Sequence, residues 1–311
     1  MVKASTVHKI IIGLTLLGSL AYLVSKARAQ ATSKSSMYKG INIVDMYKAG
    51  DYPFNEYPYF TTFKKYLDLA KNDLNCNFIR LFLLKDFEEH YPNWKDRWIA
   101  VENLIQKHGF AVEYCTYMFW DSSAIYIDNY KRWVDYYIGT YKTLSMPKNR
   151  IWVVNILENS WDYYEIAQQM MPYIKSVDSD RIVTTEVWAT TDGMFKNEII
   201  GLPSAKSDIS INSRIYISNT DLISTASYYP DVNSIPAVEL WDHIKLQSPY
   251  NNVLISEFAN NITEKVNLAK LNNAYGICYW NLHLTDSLRT PINEDYTLND
   301  KGREIQKAYQ F

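Results

Sequence analysis

The 311-residue chain is 47% hydrophobic, which is ample for one large core. Its formal charge of -2, its pI near 6.2 and the lack of any long Lys or Arg run leave no electrostatic footprint for a nucleic-acid partner. Three cysteines are too few and too oddly numbered for a disulfide framework: Cys76, Cys115 and Cys278 all sit in or beside apolar runs and read as buried free thiols. With no C-x-x-C pair and no His/Cys cluster, a structural zinc is not expected. The 26 Tyr, 9 Trp and 11 Phe exceed what a core alone needs, and aromatic faces stack well on the apolar face of a pyranose ring.

In chain order, residues 1–36 read as a targeting element and short linker. MVKASTVHK supplies positive charge, Ile10 to Val24 is an apolar run, and Ala27-Arg28-Ala29 has the small-x-small form of a cleavage site. The run is shorter than the ~20 residues a bilayer core requires, which favours a cleaved signal peptide. Lys26 and Arg28 directly after it favour a retained anchor, so attachment to a membrane through residues 10–24 stays open. Either way the protein is expected outside the cell, secreted or held on the outer face of the membrane.

From residue 37 to 311 the chain alternates two textures. Short apolar, β-rich runs occur at 39–44, 77–84, 110–118, 150–157, 181–188, 222–229, 251–258 and 274–280. Segments of helical period lie between most of them, for example YFTTFKKYLDLAKNDL, WKDRWIAVENLIQKHG and NYKRWVDYYIGTYKTL. Near-continuous apolar runs are the mark of parallel strands buried on both faces. Eight of them alternating with helices predict a single-domain α/β fold, a (β/α)8 TIM barrel. A doubly wound open sheet competes, but no Gly-rich phosphate loop follows the first strand. Residues 190–220 hold more chain than one helix requires, and DISINSRIYIS is a candidate extra strand pair. ITEKVNLAKLNN is a short helix whose Thr263 is a candidate cap, although Asn261-Ile262-Thr263 is also a glycosylation sequon. LNDKGREIQKAY closes the chain as a helix.

Two strands end on carboxylates, Glu158 after the fourth and Glu257 in the seventh. In such a barrel both face the mouth at the C-terminal ends of the strands, where chemistry gathers. Hydrolysis of a glycosidic bond needs such a pair, ~5 Å apart in retaining enzymes, one carboxyl kept protonated by the charge of its neighbour. A lone glutamate at a strand end is more often solvated or ion-paired, and Glu113 and Glu186 also lie within strand runs. Arg80, inside NFIRLFLL, is costly to bury without an anion: it serves a structural salt bridge, the orientation of Glu257, or both. Trp120, Trp161, Trp188 and Trp280 fall at or just past strand ends and together are placed to line a cleft. Of the five histidines only His283 is placed to reach the mouth, too few for a metal-dependent barrel. No G-x-S-x-G elbow occurs.

These residues, from about 38 to 311, resemble the retaining glycoside hydrolases of clan A, within it the cellulase and mannanase group of glycoside hydrolase family 5. The matching features are Arg80 in NFIRLF, Glu158 ending the fourth strand, MMPYIKSVDSDRIVTTE, Tyr229 in SYYP, Glu257 in LISEFA and Trp280 in YGICYW. The resemblance implies Glu158 as acid/base and Glu257 as nucleophile. It implies that Tyr229 and Arg80 hold the nucleophile and that Trp280 floors the reacting sugar. Four departures stand out. Leu157 replaces the Asn that bonds the sugar 2-hydroxyl, Ser227 replaces a His, Ala259 replaces a Gly, and the third strand offers no His. Asn155 and Asn159 are the nearest substitutes for that Asn.

The expected function is retaining hydrolysis of β-glycosidic bonds in a glucan- or mannan-type saccharide, of the endo-β-glycanase kind, by double displacement, a reaction that needs no metal or organic cofactor. The rival reading, favoured by Leu157 and Ser227, is a catalytically silent barrel that binds glycan at a cell or virion surface. Transglycosylation and a metal-dependent barrel are further alternatives.

Overall fold

The computed structural model describes residues 37–43, 56–84, 91–117, 150–153, 162–179, 181–188, 222–226, 253–283 and 288–311, with Asp128, Lys131, Arg132, Val134 and Asp135. All belong to the compact unit Met37–Phe311. The signal or anchor reading of residues 1–36, the extra strand pair and most of the third predicted helix lie outside the described residues. Among the described residues no helix is long and apolar enough to cross a membrane.

Eight parallel strands pair each with the next and the last with the first, closing a barrel. They are β1 Tyr38–Ile43, β2 Phe78–Leu84, β3 Ala111–Tyr117, β4 Arg150–Val153, β5 Ile182–Trp188, β6 Leu222–Ala226, β7 Val253–Phe258 and β8 Gly276–Tyr279. Seven fall within runs predicted from sequence, and β1 begins one residue before its run. Five helices follow strands β1, β2, β4, β7 and β8: α1 Thr61–Asp68, α2 Trp94–His108, α3 Asp162–Val177, α4 Ile262–Leu271 and α5 Asp300–Ala308. The fold is therefore a β/α barrel, with eight strands, four crossover helices and a closing helix described.

Local chemistry sets the helix ends. α1 begins where the Glu56 carboxylate accepts from the Thr62 and Phe63 N–H groups, and it continues as a π-helical turn over Leu69–Asp73. α2 stops at Gly109, whose φ of 72° suits a residue without Cβ. α4 differs from expectation. Its N-cap is Asn261 in the left-handed conformation, and the Thr263 hydroxyl instead reaches Glu304 Oε1 at 3.4 Å.

Side chains alternate across each strand. Outward residues such as Ile41, Ile43, Ile79, Leu81, Val112, Tyr114, Val253, Ile255 and Ile277 pack against the helices. Inward, Phe78, Ala111, Ile151, Leu222, Leu254 and Cys278 form an apolar plug. Gly40 lies against this plug, since a Cβ there would collide with Cys278 Sγ and come within 2.8 Å of Phe78. One step further along the strands the interior turns polar, with Asn42, Arg80, Glu113, Ser224 and Ser256 all fully buried. All three cysteines are free and buried, as expected.

Candidate active site

The polar layer is organised by Arg80 on β2. Its register neighbours are Asn42 on β1 and Glu113 on β3, so three inward side chains stand side by side. Arg80 Nε lies 2.9 Å from Glu113 Oε2, and both side chains are wholly buried. Arg80 Nη1 donates to Asn42 Oδ1 at 3.1 Å and to Glu257 Oε1. Asn42 in turn donates through Nδ2 to the carbonyls of Ser256 at 2.9 Å and Tyr279 at 3.1 Å, which ties β1 to β7 and β8. Ser224 Oγ on β6 donates to Glu113 Oε1 at 3.3 Å.

Strict alternation would turn Glu257 outward, on the same face as Ile255. It points inward because β7 carries an extra residue relative to both neighbours: Thr225 pairs Ile255 but Ala226 pairs Glu257, while Ile277 pairs Ile255 and Tyr279 pairs Phe258. Such a bulge re-aims the side chain that follows it. Glu257 thereby enters the mouth with its side chain 12% exposed, the one carboxylate of this network that solvent reaches. Phe258 returns to the outer face and packs edge-on against Tyr279 at 5.5 Å.

Trp280 follows β8 directly. Its N–H donates to Phe258 O at 2.8 Å, its peptide to Asn281 is cis, and Leu282 N donates to Asn42 O at 2.8 Å, so this turn runs along the same rim as Glu257. Trp188 ends β5 opposite Ala226. Glu158, Trp120, Trp161 and Tyr229 lie outside the described residues, as do Leu157 and Ser227. The structure thus brings Arg80, Glu257 and Trp280 to one end of the barrel. Sequence reasoning missed Asn42, although an amide inside KGINIV poses the same question as Arg80 inside NFIRLF. It also left open whether Glu113 or Glu186 pairs with a buried arginine.

The electrostatics are uneven. Burial pushes the Glu113 carboxyl up to about 7, although Arg80 and the Ser224 hydroxyl pull it down, and the charge of Glu257 adds to the rise. The Cys278 thiol is driven well above its ordinary range, by burial first and by Glu113 next. Among the described residues no group of three His, Cys, Asp or Glu is placed to hold a metal ion. What the arrangement offers chemically is a fixed, solvent-reachable carboxylate beside a buried cation.

No family model and no curated protein matches the chain by sequence. Solved structures do match. A family 5 xyloglucanase from Paenibacillus pabuli is 12% identical with a TM-score of 0.61, over 89% of this chain and 99% of that one. The catalytic domain of the major endoglucanase from Xanthomonas campestris is 11% identical with a TM-score of 0.59, over 89% and 96%. A glycosyl hydrolase family 2 member from Bacteroides cellulosilyticus is 14% identical with a TM-score of 0.59, over 88% of this chain but only 32% of its own. The chain spans between a third and a half of the family 2 proteins it matches. At such identities the likeness is one of fold. Its structural neighbours are glycoside hydrolases of clan A, families 2, 5 and 39 among them, and their barrel is the fold this chain shares.

Proposed function

We propose that this protein is a retaining glycoside hydrolase acting on β-linked poly- or oligosaccharides of glucan or mannan type, by endo attack. Glu257 attacks the anomeric carbon to give a glycosyl-enzyme while Glu158 protonates the leaving oxygen. Glu158 then takes a proton from the water that releases the sugar. Arg80 and Tyr229 hold the nucleophile, and Trp280 floors the reacting sugar. Trp120, Trp161 and Trp188 line the cleft. Helices in the remaining crossovers complete a (β/α)8 barrel over residues 37–311. Residues 1–36 export the chain, as a signal peptide or as an anchor on the outer face of the membrane.

The observation that carries this reading is the bulge in β7, which turns Glu257 into the barrel mouth and onto a buried guanidinium. The solved neighbours support it by fold and by their own activities, a xyloglucanase and an endoglucanase among them. Leu157 and Ser227 favour the second reading, a silent barrel that binds glycan.

Reducing-sugar release from a panel of β-glucans, mannans and xylans separates the two, with Glu158→Gln and Glu257→Gln beside the parent. Activity in the parent that is lost in both variants supports the pair. A parent that binds a polymer and cleaves none overturns the enzyme reading.

A further inference from the structure

The proposed reaction uses Glu257 and asks of Arg80 only that it hold that carboxylate. Nothing in it uses Glu113, yet Glu113 is the other carboxylate on the same guanidinium, at 2.9 Å and wholly buried. Three groups share two negative charges and one positive charge inside a barrel whose next layer is apolar. With both carboxylates ionised the cluster carries a net buried charge, which a low-dielectric interior resists. One carboxylate at a time therefore suffices as counter-ion.

We propose that Glu113 is a positioning residue and the alternate counter-ion of Arg80: protonated while Glu257 is a carboxylate, ionised when Glu257 is neutral. This rests on the proposed function for its use in turnover, since forming the glycosyl ester makes Glu257 neutral. At that point the Glu113 O–H bond breaks, its proton passes to water, and Glu113 becomes the anion that keeps Arg80 fixed. When the ester is hydrolysed and Glu257 returns as carboxylate, Glu113 takes a proton back from water. Arg80 keeps its geometry through the cycle because it is never left without an anion.

Among the described side chains, five groups face Glu113. They are Arg80 from β2, Ser224 from β6, Glu257 from β7, Cys278 from β8 and Tyr275 just before β8. The thiol of Cys278 and the phenol of Tyr275, which burial pushes up, stay neutral near pH 7. Among these, Arg80 and Glu257 carry the charges that act on Glu113, and the Ser224 hydroxyl is its hydrogen-bond donor. Burial and the charge of Glu257 both hold the proton on Glu113.

The test is a carbon-13 carboxyl NMR titration of the full chain labelled on glutamate. The resonance missing from Glu113→Gln identifies Glu113, and in the parent it is expected to titrate with a midpoint near 7. In Glu257→Gln that midpoint is expected to fall by about one pH unit or more, because a neighbouring like charge has gone. Should Glu113→Gln fail to fold, Ser224→Ala supplies the assignment instead, moving the midpoint upward by removing a hydrogen bond to the ionised form. A Glu113 midpoint in the ordinary carboxylate range, or one that ignores Glu257→Gln, overturns the proposal. The titration needs no turnover, so failure of the enzyme reading shows separately. A protein silent on every glycan but with coupled midpoints loses the reaction and keeps the counter-ion pair, whereas an active protein with uncoupled midpoints loses this inference alone.

Discussion

Two arginines among the described residues are wholly buried, and their surroundings are built on opposite plans. Among the described residues Arg150, the first residue of β4, meets one carboxylate, that of Glu102. Its Nε and Nη2 donate to Glu102 Oε1 of α2, its Nη1 donates to Phe110 O at 2.9 Å, and Tyr114 on the outer face of β3 donates to the other oxygen of Glu102. One charge meets one charge, and both carboxylate oxygens have donors. Arg80 meets two carboxylates, one of which reaches solvent. The balanced network lies toward the N-terminal ends of the strands, where a barrel invests in stability, and the unbalanced one lies toward the mouth. A buried ion pair is thus informative about function through its charge balance more than through its presence.

The largest expected effects break this contrast directly. Arg80→Met strands two carboxylates beside each other, and hydrolysis should fall ~100- to 1000-fold through loss of a preorganised charge at the nucleophile. The readout is kcat/KM on whichever polymer the parent cleaves, and a variant within threefold of the parent contradicts the role given to Arg80. Arg150→Met strands Glu102 in the same way, but away from the mouth. It should cost about 3–5 kcal/mol of stability, or roughly 10 °C in Tm, while the folded fraction keeps its kcat/KM. If the two variants behave alike, the distinction between the networks is empty.

The strands were legible from sequence because a parallel strand covered on both faces writes itself as an apolar run. Arg80 was legible for the complementary reason: a charge inside such a run demands an anion, and Glu257 is one of the two it meets. The bulge was not legible. Nothing in VLISEF marks it, and only pairing with β6 and β8 shows that Glu257 has slipped to the inner face. Asn42 escaped because its amide joins backbone carbonyls of strands more than two hundred residues away, Ser256 and Tyr279, which no local pattern announces. Glu113 and Glu186 looked equivalent on the chain. Register separates them, placing Glu113 beside Arg80 and Glu186 opposite Ser224.

A smaller effect sharpens the contrast through pH. The Glu113 carboxyl titrates near 7 in the fold and near 4.5 when exposed, so the folded state holds its proton longer than the unfolded one. Stability therefore falls as pH rises from about 4.5 to about 7, by about 3 kcal/mol at ~1.4 kcal/mol per pH unit. Glu113→Gln copies the neutral form and escapes that loss. Its Tm relative to the parent should be near zero at pH 4.5 and positive at pH 8. A difference that is constant with pH refutes the neutral buried carboxyl.

The smallest effect compares one deletion made in both networks, since each has a hydroxyl donating to a buried carboxylate. Tyr114→Phe removes the donor to Glu102 Oε2, and Ser224→Ala removes the donor to Glu113 Oε1. Each lost bond is worth about 1–2 kcal/mol when its acceptor is charged and less when it is neutral. At pH 5 Glu113 is protonated in the fold, so Ser224→Ala should cost little. At pH 8 Glu113 is ionised and the same variant should lose about 1 kcal/mol more. Tyr114→Phe sits in a network with no surplus carboxylate among the described residues, and its cost should not follow the Glu113 titration. Denaturant midpoints of both variants at pH 5 and pH 8 measure this, and a Ser224→Ala deficit that ignores pH would mean that Glu113 does not change charge across that range.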